Sequence, residues 1–596
     1  MRIFQRLWWF FAAHKKKYIV GIFLLIVCDV LVLVPPWLVG ELINRMRVGE
    51  VSVGGLGLRV GLIAILAFVL YGLRYAWRYY LFGASLLLEQ TLRRRLFGHL
   101  TRMNPTFYDR RRTGDLMALA TNDIVAIEAT SSMGILTLVD SLAMTLIALT
   151  AMITLISWKL TLAALLPLPL LAWATGYYGE LLHKRFFAAQ TSFGRLNDHV
   201  QESVSGIRIL RAYVQEQADI ASFAAAADDV MDKNIRVARI DALFEPTIVF
   251  LIGVSFLIGI GYGTTLVFDS EVTLGELVAF NLYLGLLIWP MLALGWLMNI
   301  VQRGSASWDR LSDVLEEQPV IVDGVEVEQQ AHVSSALAIE DLTFCYPCAE
   351  QPVLRHVSLV VQPGWTIGIV GRTGSGKTTL MKLWMHFYSV PEHAVYVGGR
   401  PVEEWNTAAL RSQFGYVPQD HFLFSRTIRE NIAFGQNDAS DERIAAAILH
   451  AGLAPDVHRL PQGLAPDVHR LPQGLATIVG ERGITLSGGQ KQRIGIARAL
   501  LTEPEILLLD DSLSAVDART EEMILTHLRR ERGGRTTVIA AHRMSAVMHA
   551  DRIYVLDAGH VIEQGTHDEL LTRDGWYAEQ FYRQQAQAAL DEEEKR

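Results

Sequence analysis

The chain is poor in cysteine, poor in charge and short of basic residues. Its 596 residues include three cysteines, only 19% are charged, and the net charge is −8. That acidic balance, with no basic stripe carrying interleaved aromatics, argues against nucleic acid as a partner. Cys345 and Cys348 form a C-x-x-C, but no second Cys or His pair stands at zinc spacing, so neither a metal nor a redox role is expected of them. Cys28, inside an apolar run, reads as a small buried side chain. A secretory signal peptide is not expected either, because the first apolar run is too long and lacks a small-residue cleavage site.

What the chain has in abundance is apolar length, and it is unevenly spread. Up to about Asn299 it is built from long apolar blocks; from about Leu337 it reads as a soluble α/β protein. A helix crosses a bilayer with about 20 residues. Six segments reach that length: Tyr18–Leu42, Leu56–Leu81, Gly134–Trp158, Leu160–Tyr178, Pro246–Phe268 and Leu274–Ile300. Arg2, Arg6 and Lys15 to Lys17 precede the first span, which predicts a cytoplasmic N-terminus. The long connections after spans two and four carry Arg93 to Arg95, Arg110 to Arg112, Lys184, Arg185, Arg208 and Arg211, as cytoplasmic connections should. Both read as helix projecting beyond the membrane.

Asp29, Asp140, Arg74 and Arg78 interrupt the spans and must face protein or a wet cavity. Two readings stand: an acidic site attracting cationic compounds, or an Asp–Arg pairing that holds the bundle together. Trp8, Trp9, Trp77, Tyr79 and Trp289 read as an interfacial belt, with ligand contact as the alternative.

The second half carries the chemistry. The apolar run Ile367 to Val370 leads into Gly371, Arg372, Thr373, Gly374, Ser375, Gly376, Lys377, Thr378 and Thr379, a G-x-x-x-x-G-K-[ST] loop. Glycines let backbone N–H groups curl around phosphate oxygens at a helix N-terminus, Lys377 reaches the terminal phosphates, and the Thr378 hydroxyl suits Mg²⁺. Alone, this loop indicates only a nucleoside triphosphate. Further on, Leu486, Ser487, Gly488, Gly489 and Gln490 head a helix whose N–H groups and dipole form an anion site. Ile506 to Asp510 reads as a buried strand ending in a carboxylate suited to Mg²⁺ held mostly through water.

The two glycine-rich motifs together resemble the ATP-binding-cassette superfamily, in which ATP lies between two such domains. That resemblance implies roles for individual residues. Tyr346 matches the aromatic that stacks on adenine, and Gln419 the loop glutamine whose carbonyl touches Mg²⁺. His542 matches the switch histidine at the γ-phosphate, and Ser514 to Asp517 the loop that crosses the dimer. Leu486 to Gln490 would close on the ATP of the opposing cassette. Thr477 to Gly483 resembles an exporter loop that contacts coupling helices. Thr113–Asp123 and Asn197–Gly206, placed at the turning points of the cytoplasmic extensions, resemble those coupling helices; ordinary solvated helices are the alternative.

One position departs from the usual pattern. The superfamily normally has Glu after the strand-end Asp, to orient or deprotonate the attacking water; this chain has Asp511. One methylene less works against reach, and a general base needs about 2.6–3.2 Å to its proton. Since phosphoryl transfer depends chiefly on positioning, Asp511 implies normal ATP binding and slow hydrolysis. An intact signature with a weakened carboxylate resembles the MdlA-type subunits of heterodimeric bacterial multidrug exporters. The implied partner is a second ABC half-transporter (MdlB-like) that supplies Glu to a site completed by Leu486 to Gln490. The implied cargo is amphipathic small molecules, exported through the lipid bilayer of the bacterial cytoplasmic membrane; a lipid or lipid-A-type flippase is the alternative.

The expected fold is therefore an α membrane domain of six transmembrane helices with long cytoplasmic extensions (exporter-type ABC fold), plus an α/β P-loop ATPase domain. The expected boundaries are 1–318, a linker 319–336, the nucleotide-binding domain 337–584 and a charged tail 585–596. Gly452 to Gln462 is repeated without change as Gly463 to Gln473. Two copies of eleven residues are too few and too short for a solenoid. Prolines 455, 461, 466 and 472 oppose a continuous helix, so one copy is expected to bulge from the helical subdomain.

Overall fold

The structure is a computed structural model and describes residues 2–49, 53–321, 334–347, 349–457, 474–480 and 486–594. Most of the expected linker, the second repeat copy and Glu481 to Gly483 of the exporter loop lie outside the described residues. Two compact units divide the chain: Met1–Leu100 with Gly114–Glu317, and Thr101–Thr113 with Gln318–Arg596.

The first unit is all helix. Six helical stretches are long and apolar enough to cross a membrane: Lys15–Val48, Gly54–Leu100, Thr113–Ile156, Trp158–Ser205, Glu216–Phe268 and Leu274–Glu316. Ser157, extended in its backbone, breaks the third from the fourth, and its side-chain Oγ caps the next helix by accepting from Leu160 N. Pro246 is absorbed inside the fifth. The third contains π-helical turns at Leu119–Asp123, Thr130–Gly134 and Met152–Ile156, so its side chains do not follow one α-helical stripe. Asp123 in the first of these turns accepts from Ser307 Oγ at 2.8 Å and from Arg310 Nε at 3.2 Å, tying the third helix to the sixth. Buried Asp29 faces Asp140, with Arg74 beside them, while Arg78 lies over the Trp77 ring at 5.2 Å. Trp77 itself is buried, unlike Trp8 and Trp289.

The turning points fall elsewhere than the sequence placed them. After the helix ending at Leu100 the chain turns through Thr101–Arg112, with a short helix Pro105–Arg110, and Thr113 already starts the return. The second turn runs from Gly206 through the short helix Ile207–Ala212 to Gln215, just past Asn197–Gly206. Pro105 starts the first short helix and the extended Arg111 ends it, punctuation that outweighs the polar stretch after Thr113.

The second unit holds two sheets. One is antiparallel and contains β1 Leu337–Phe344, β2 Leu354–Val361, β4 Val395–Val397 and β5 Arg400–Pro401, in the order β2-β1-β4-β5. The other contains β3 Thr366–Gly371, β6 Phe414–Val417, β7 Ile506–Asp510, β8 Thr536–Ala541, β9 Arg552–Asp557 and β10 His560–Gly565, in the order β10-β9-β3-β8-β7-β6. Strands β6, β7, β8, β3 and β9 are parallel and β10 is antiparallel. Strands β7 and β8 are buried at every residue, as a sheet covered on both faces requires. Ligand sites in such sheets form beyond the carboxyl ends of the strands, and that is where the sequence motifs come together.

Candidate nucleotide-binding site

Strand β3 ends at Gly371, and the helix Lys377–Trp384 begins six residues later. Gly376 caps that helix at φ +104°, and a Cβ there would sit 2.5 Å from Leu354 Cδ2, so only glycine closes the loop. Lys377 Nζ donates to the carbonyls of Gly371 at 2.9 Å and Arg372 at 3.0 Å, folded over the loop it follows. Burial lowers its pKa, opposed by the Asp511 and Asp510 carboxylates. Ser375 is buried and its hydroxyl has no partner among the described residues. A loop of turned amides with an orphan hydroxyl and a buried ammonium is a cradle for phosphate oxygens.

Two strands away, β7 delivers Asp510. Thr378 Oγ1 donates to its Oδ1 at 2.9 Å, and Tyr416 OH to its Oδ2 at 3.3 Å. Burial raises the Asp510 pKa, with Thr378 and Tyr416 holding it down. These oxygens fit a small hard cation that keeps most of its waters. Tyr416 carries no motif weight in sequence. The parallel register pairs it with Leu508, two residues before Asp510, and strand alternation is the signal that would have found it.

Asp511 follows at φ +46°, its N–H donating to Ala540 O at 2.9 Å. His542 stands after β8; burial and Lys377 lower its pKa, against Asp511 and Asp510. Its turn is held from the C-terminal helix, where Gln584 donates to His542 O at 2.8 Å and accepts from Met544 N at 2.9 Å. No local sequence pattern marks Gln584 for this task. Gln419 lies exposed in the loop after β6, outside the Asp510 cluster. Tyr346 bonds through its hydroxyl to Thr379 Oγ1 at 3.0 Å and packs edge-on to Phe344 and Tyr388.

The signature forms a helix head. Ser487 accepts from Gln490 N at 3.3 Å and donates its own N–H to Gln490 Oε1 at 3.0 Å, a capping box that starts Gly488–Leu501. A Cβ on Gly489 would lie 2.9 Å from Ala515 O, so glycine admits the neighbouring loop. Gln492 fastens that loop, donating to Ser514 Oγ at 3.3 Å and accepting from Ala515 N at 3.0 Å. Arg543 adds bonds to Ser514 O and Val516 O, both at 3.1 Å. His542, Ser514 to Asp517 and the signature are therefore mechanically one cluster. Asp456, from the first repeat copy, accepts from Gln490 Nε2 at 3.2 Å and pairs with Arg493 at 3.0 Å.

Helices of membrane-crossing length in one unit and a phosphate cradle, strand-end carboxylate and glycine-headed helix in the other define an ATP-dependent membrane transporter. Residues 18–291 match the ABC transporter transmembrane region and residues 354–514 the ABC transporter ATPase domain. The chain belongs to the ABC transporter family and is an exporter-type half-transporter. It is 48% identical over 585 residues to the probable multidrug resistance ABC transporter ATP-binding/permease protein YheI of Bacillus subtilis, covering 98% of each chain. It is 44% identical over 592 residues to the multidrug resistance-like ATP-binding protein MdlA of Escherichia coli, covering 99% of this chain and 98% of that one. A solved bacterial Atm1-family ABC exporter with ATP bound superposes at TM-score 0.77 with 27% identity, over 96% of this chain and 99% of that chain.

Proposed function

We propose that this multi-pass membrane protein is one half of a heterodimeric exporter whose own ATP site is slow and whose signature completes a faster site on its partner. The observation that carries the reading is the pairing of Asp511 with an intact, capped signature helix. On this reading Tyr346 stacks on adenine, and Gly371 to Thr379 hold the phosphates. Thr378, Asp510 and Gln419 would hold Mg²⁺, which supplies charge neutralisation at the transferring phosphoryl group when bound. Lys377 leaves its carbonyl partners for the terminal phosphates. Asp511 and His542 orient water, and Asp511 does so from about 1.5 Å further back than Glu would. Ser487 to Gly489 present N–H groups to the partner's nucleotide.

The Pro105–Arg110 turn, which packs within the ATPase unit, carries closure to the spans, and Ile207–Ala212 is its counterpart in the second extension. The basic inner connections favour a bacterial cytoplasmic location for the N-terminus and the ATPase unit. The names of the relatives favour amphipathic xenobiotics as cargo. Labelled lipid would be moved in preference to drug dyes in proteoliposomes if the cargo were instead a lipid.

The test is co-expression with the presumed partner. Changing the partner's Glu to Gln should nearly abolish turnover. Brisk ATP hydrolysis by this chain purified alone would sink the asymmetric reading.

A further inference from the structure

We propose that the ATPase unit carries a second ligand site, a cation-lined cleft at the amino end of its parallel sheet that takes a phosphate monoester. The cleft is small, about 100 Å³, and opens to solvent. Thr366 and Thr537 line it at the starts of β3 and β8, whereas the nucleotide motifs lie at the other ends of the same strands. At about 3.3 Å per residue, each of these six-residue strands sets its two ends roughly 15 Å apart.

Its walls divide by chemistry. Leu525, Leu528, Ile539, Ala546 and Ala550 make an apolar floor, and Arg529, Arg532, Arg535 and His549 supply the polar rim; no lining residue is acidic. Arg532 is only 7% exposed, and its donors go to Thr537 Oγ1 at 3.3 Å and to the carbonyls of Pro504 at 3.0 Å, Glu505 at 3.4 Å and Thr536 at 3.1 Å. Those acceptors satisfy its N–H groups but not its charge. Among the described residues no carboxylate lies within ion-pair distance of it. Burial, with Arg535 beside it, brings its pKa down to about 10, and the Glu505 carboxylate opposes this only in part. Arg535 has only a loose pairing with Glu505 at 3.9 Å. Arg529 spends Nε on Leu525 O at 3.3 Å, and its remaining nitrogens have no partner among the described residues.

Capping of carbonyls at the end of the helix Ala518–Glu531 accounts for Arg532 but not for the two further guanidinium groups, Arg529 and Arg535, around the same space. A buried guanidinium without a carboxylate is costly, and an oxyanion offering several acceptors offsets that cost. Exposed Gly533 and Gly534 form the mouth, and no neighbouring atom lies within 4 Å of a Cβ built on either. The apolar floor favours a phosphate attached to a carbon body over the bare ion.

The experiment uses the full chain in nanodiscs, with the ATP site filled by a non-hydrolysable analogue. Binding of phenyl phosphate, inorganic phosphate and short-chain phosphatidic acid is measured in parallel. One additional saturable site per chain is expected. Arg529→Ala with Arg535→Ala should weaken it at least tenfold, and His549→Glu should do the same. Arg530→Ala, an exposed neighbour outside the cleft, should leave it unchanged. Retained analogue binding certifies that each variant is folded. Saturation by phosphatidic acid alone identifies a lipid headgroup as the source, and saturation by phenyl phosphate identifies a free ester. Absence of a saturable site, or equal weakening by Arg530→Ala, overturns the proposal.

Discussion

Tyr388 donates its hydroxyl to Asp109 Oδ2 at 2.8 Å, while its ring meets that of Tyr346 edge-on with centroids 5.0 Å apart. One buried side chain thus joins the aromatic proposed to stack on adenine with the short helix Pro105–Arg110. Burial, then Asp109, raises the Tyr388 pKa, so the phenol stays protonated and remains the donor.

Tyr388→Phe isolates the hydrogen bond, because it keeps the ring and removes the hydroxyl. Asp109 is exposed and rehydrates, so the stability cost should be about 1 kcal/mol. Nucleotide affinity should hold within about twofold, whereas stimulation of ATP hydrolysis by transported compounds should fall several-fold. Fluorescent-nucleotide titration and stimulated ATPase assays check the two halves. Unchanged stimulation would show that the bond is packing alone.

The sequence singles out candidate residues because phosphate binding asks for fixed residue types at fixed spacing. Gly371 to Thr378, Asp510 and Ser487 to Gln490 were picked out that way, and each stands at a strand end or helix head. The spans were legible because about 20 apolar residues have few other uses. What escaped were contacts between elements far apart in sequence. Gln584 bonds the His542 turn from 42 residues away, and Tyr388 reaches Asp109 across 279. Neither residue has a local pattern to betray it. The first turn was expected at Thr113–Asp123 from its resemblance to a coupling helix, whereas Pro105 and the extended Arg111 set it earlier, over Thr101–Arg112. For Asp29, Asp140 and Arg74 the sequence left an acidic site and an Asp–Arg pairing both open, and only the packed helices show two carboxylates beside one arginine.

Stability should fall on mild acidification. Burial lowers the pKa of His386, His421 and His542, so the unfolded chain takes up protons first as pH falls below about 6.5. Their contribution is complete above that value and is lost below it, down through the depressed folded values. His386 is 6% exposed, its Nδ1 has no partner, and its φ is +51°. His386→Asn tolerates that backbone and removes the titration, so it should flatten Tm against pH between about 6.5 and 5. Parallel curves for both proteins would refute this.

Asp456 makes the repeat matter. Its carboxylate holds Gln490 and Arg493 on the signature helix, with both members of the ion pair largely shielded from solvent. Asp456→Ala should cost about 1–3 kcal/mol and slow hydrolysis by the assembled transporter, since the carboxylate steadies the helix head that carries Ser487 to Gly489. Removing residues 463–473 keeps Asp456 and one whole copy, so ATPase activity should be unchanged or higher. A collapse of activity after that deletion would mean the second copy supplies something the first does not.

Asp511 sits in the left-handed region at φ +46°, which costs a non-glycine residue of order 1–3 kcal/mol and Asp less than most. The short carboxylate therefore suits its backbone as well as limiting its reach. Asp511→Glu should move two readouts in opposite directions. Hydrolysis in the assembled transporter should stay level or quicken, because the longer side chain places water better. Thermal stability should drop by a few degrees, because Glu gives up the local tolerance Asp has for this conformation. Turnover lower than that of the unchanged chain, at full nucleotide occupancy, would show that side-chain length is not what limits this site.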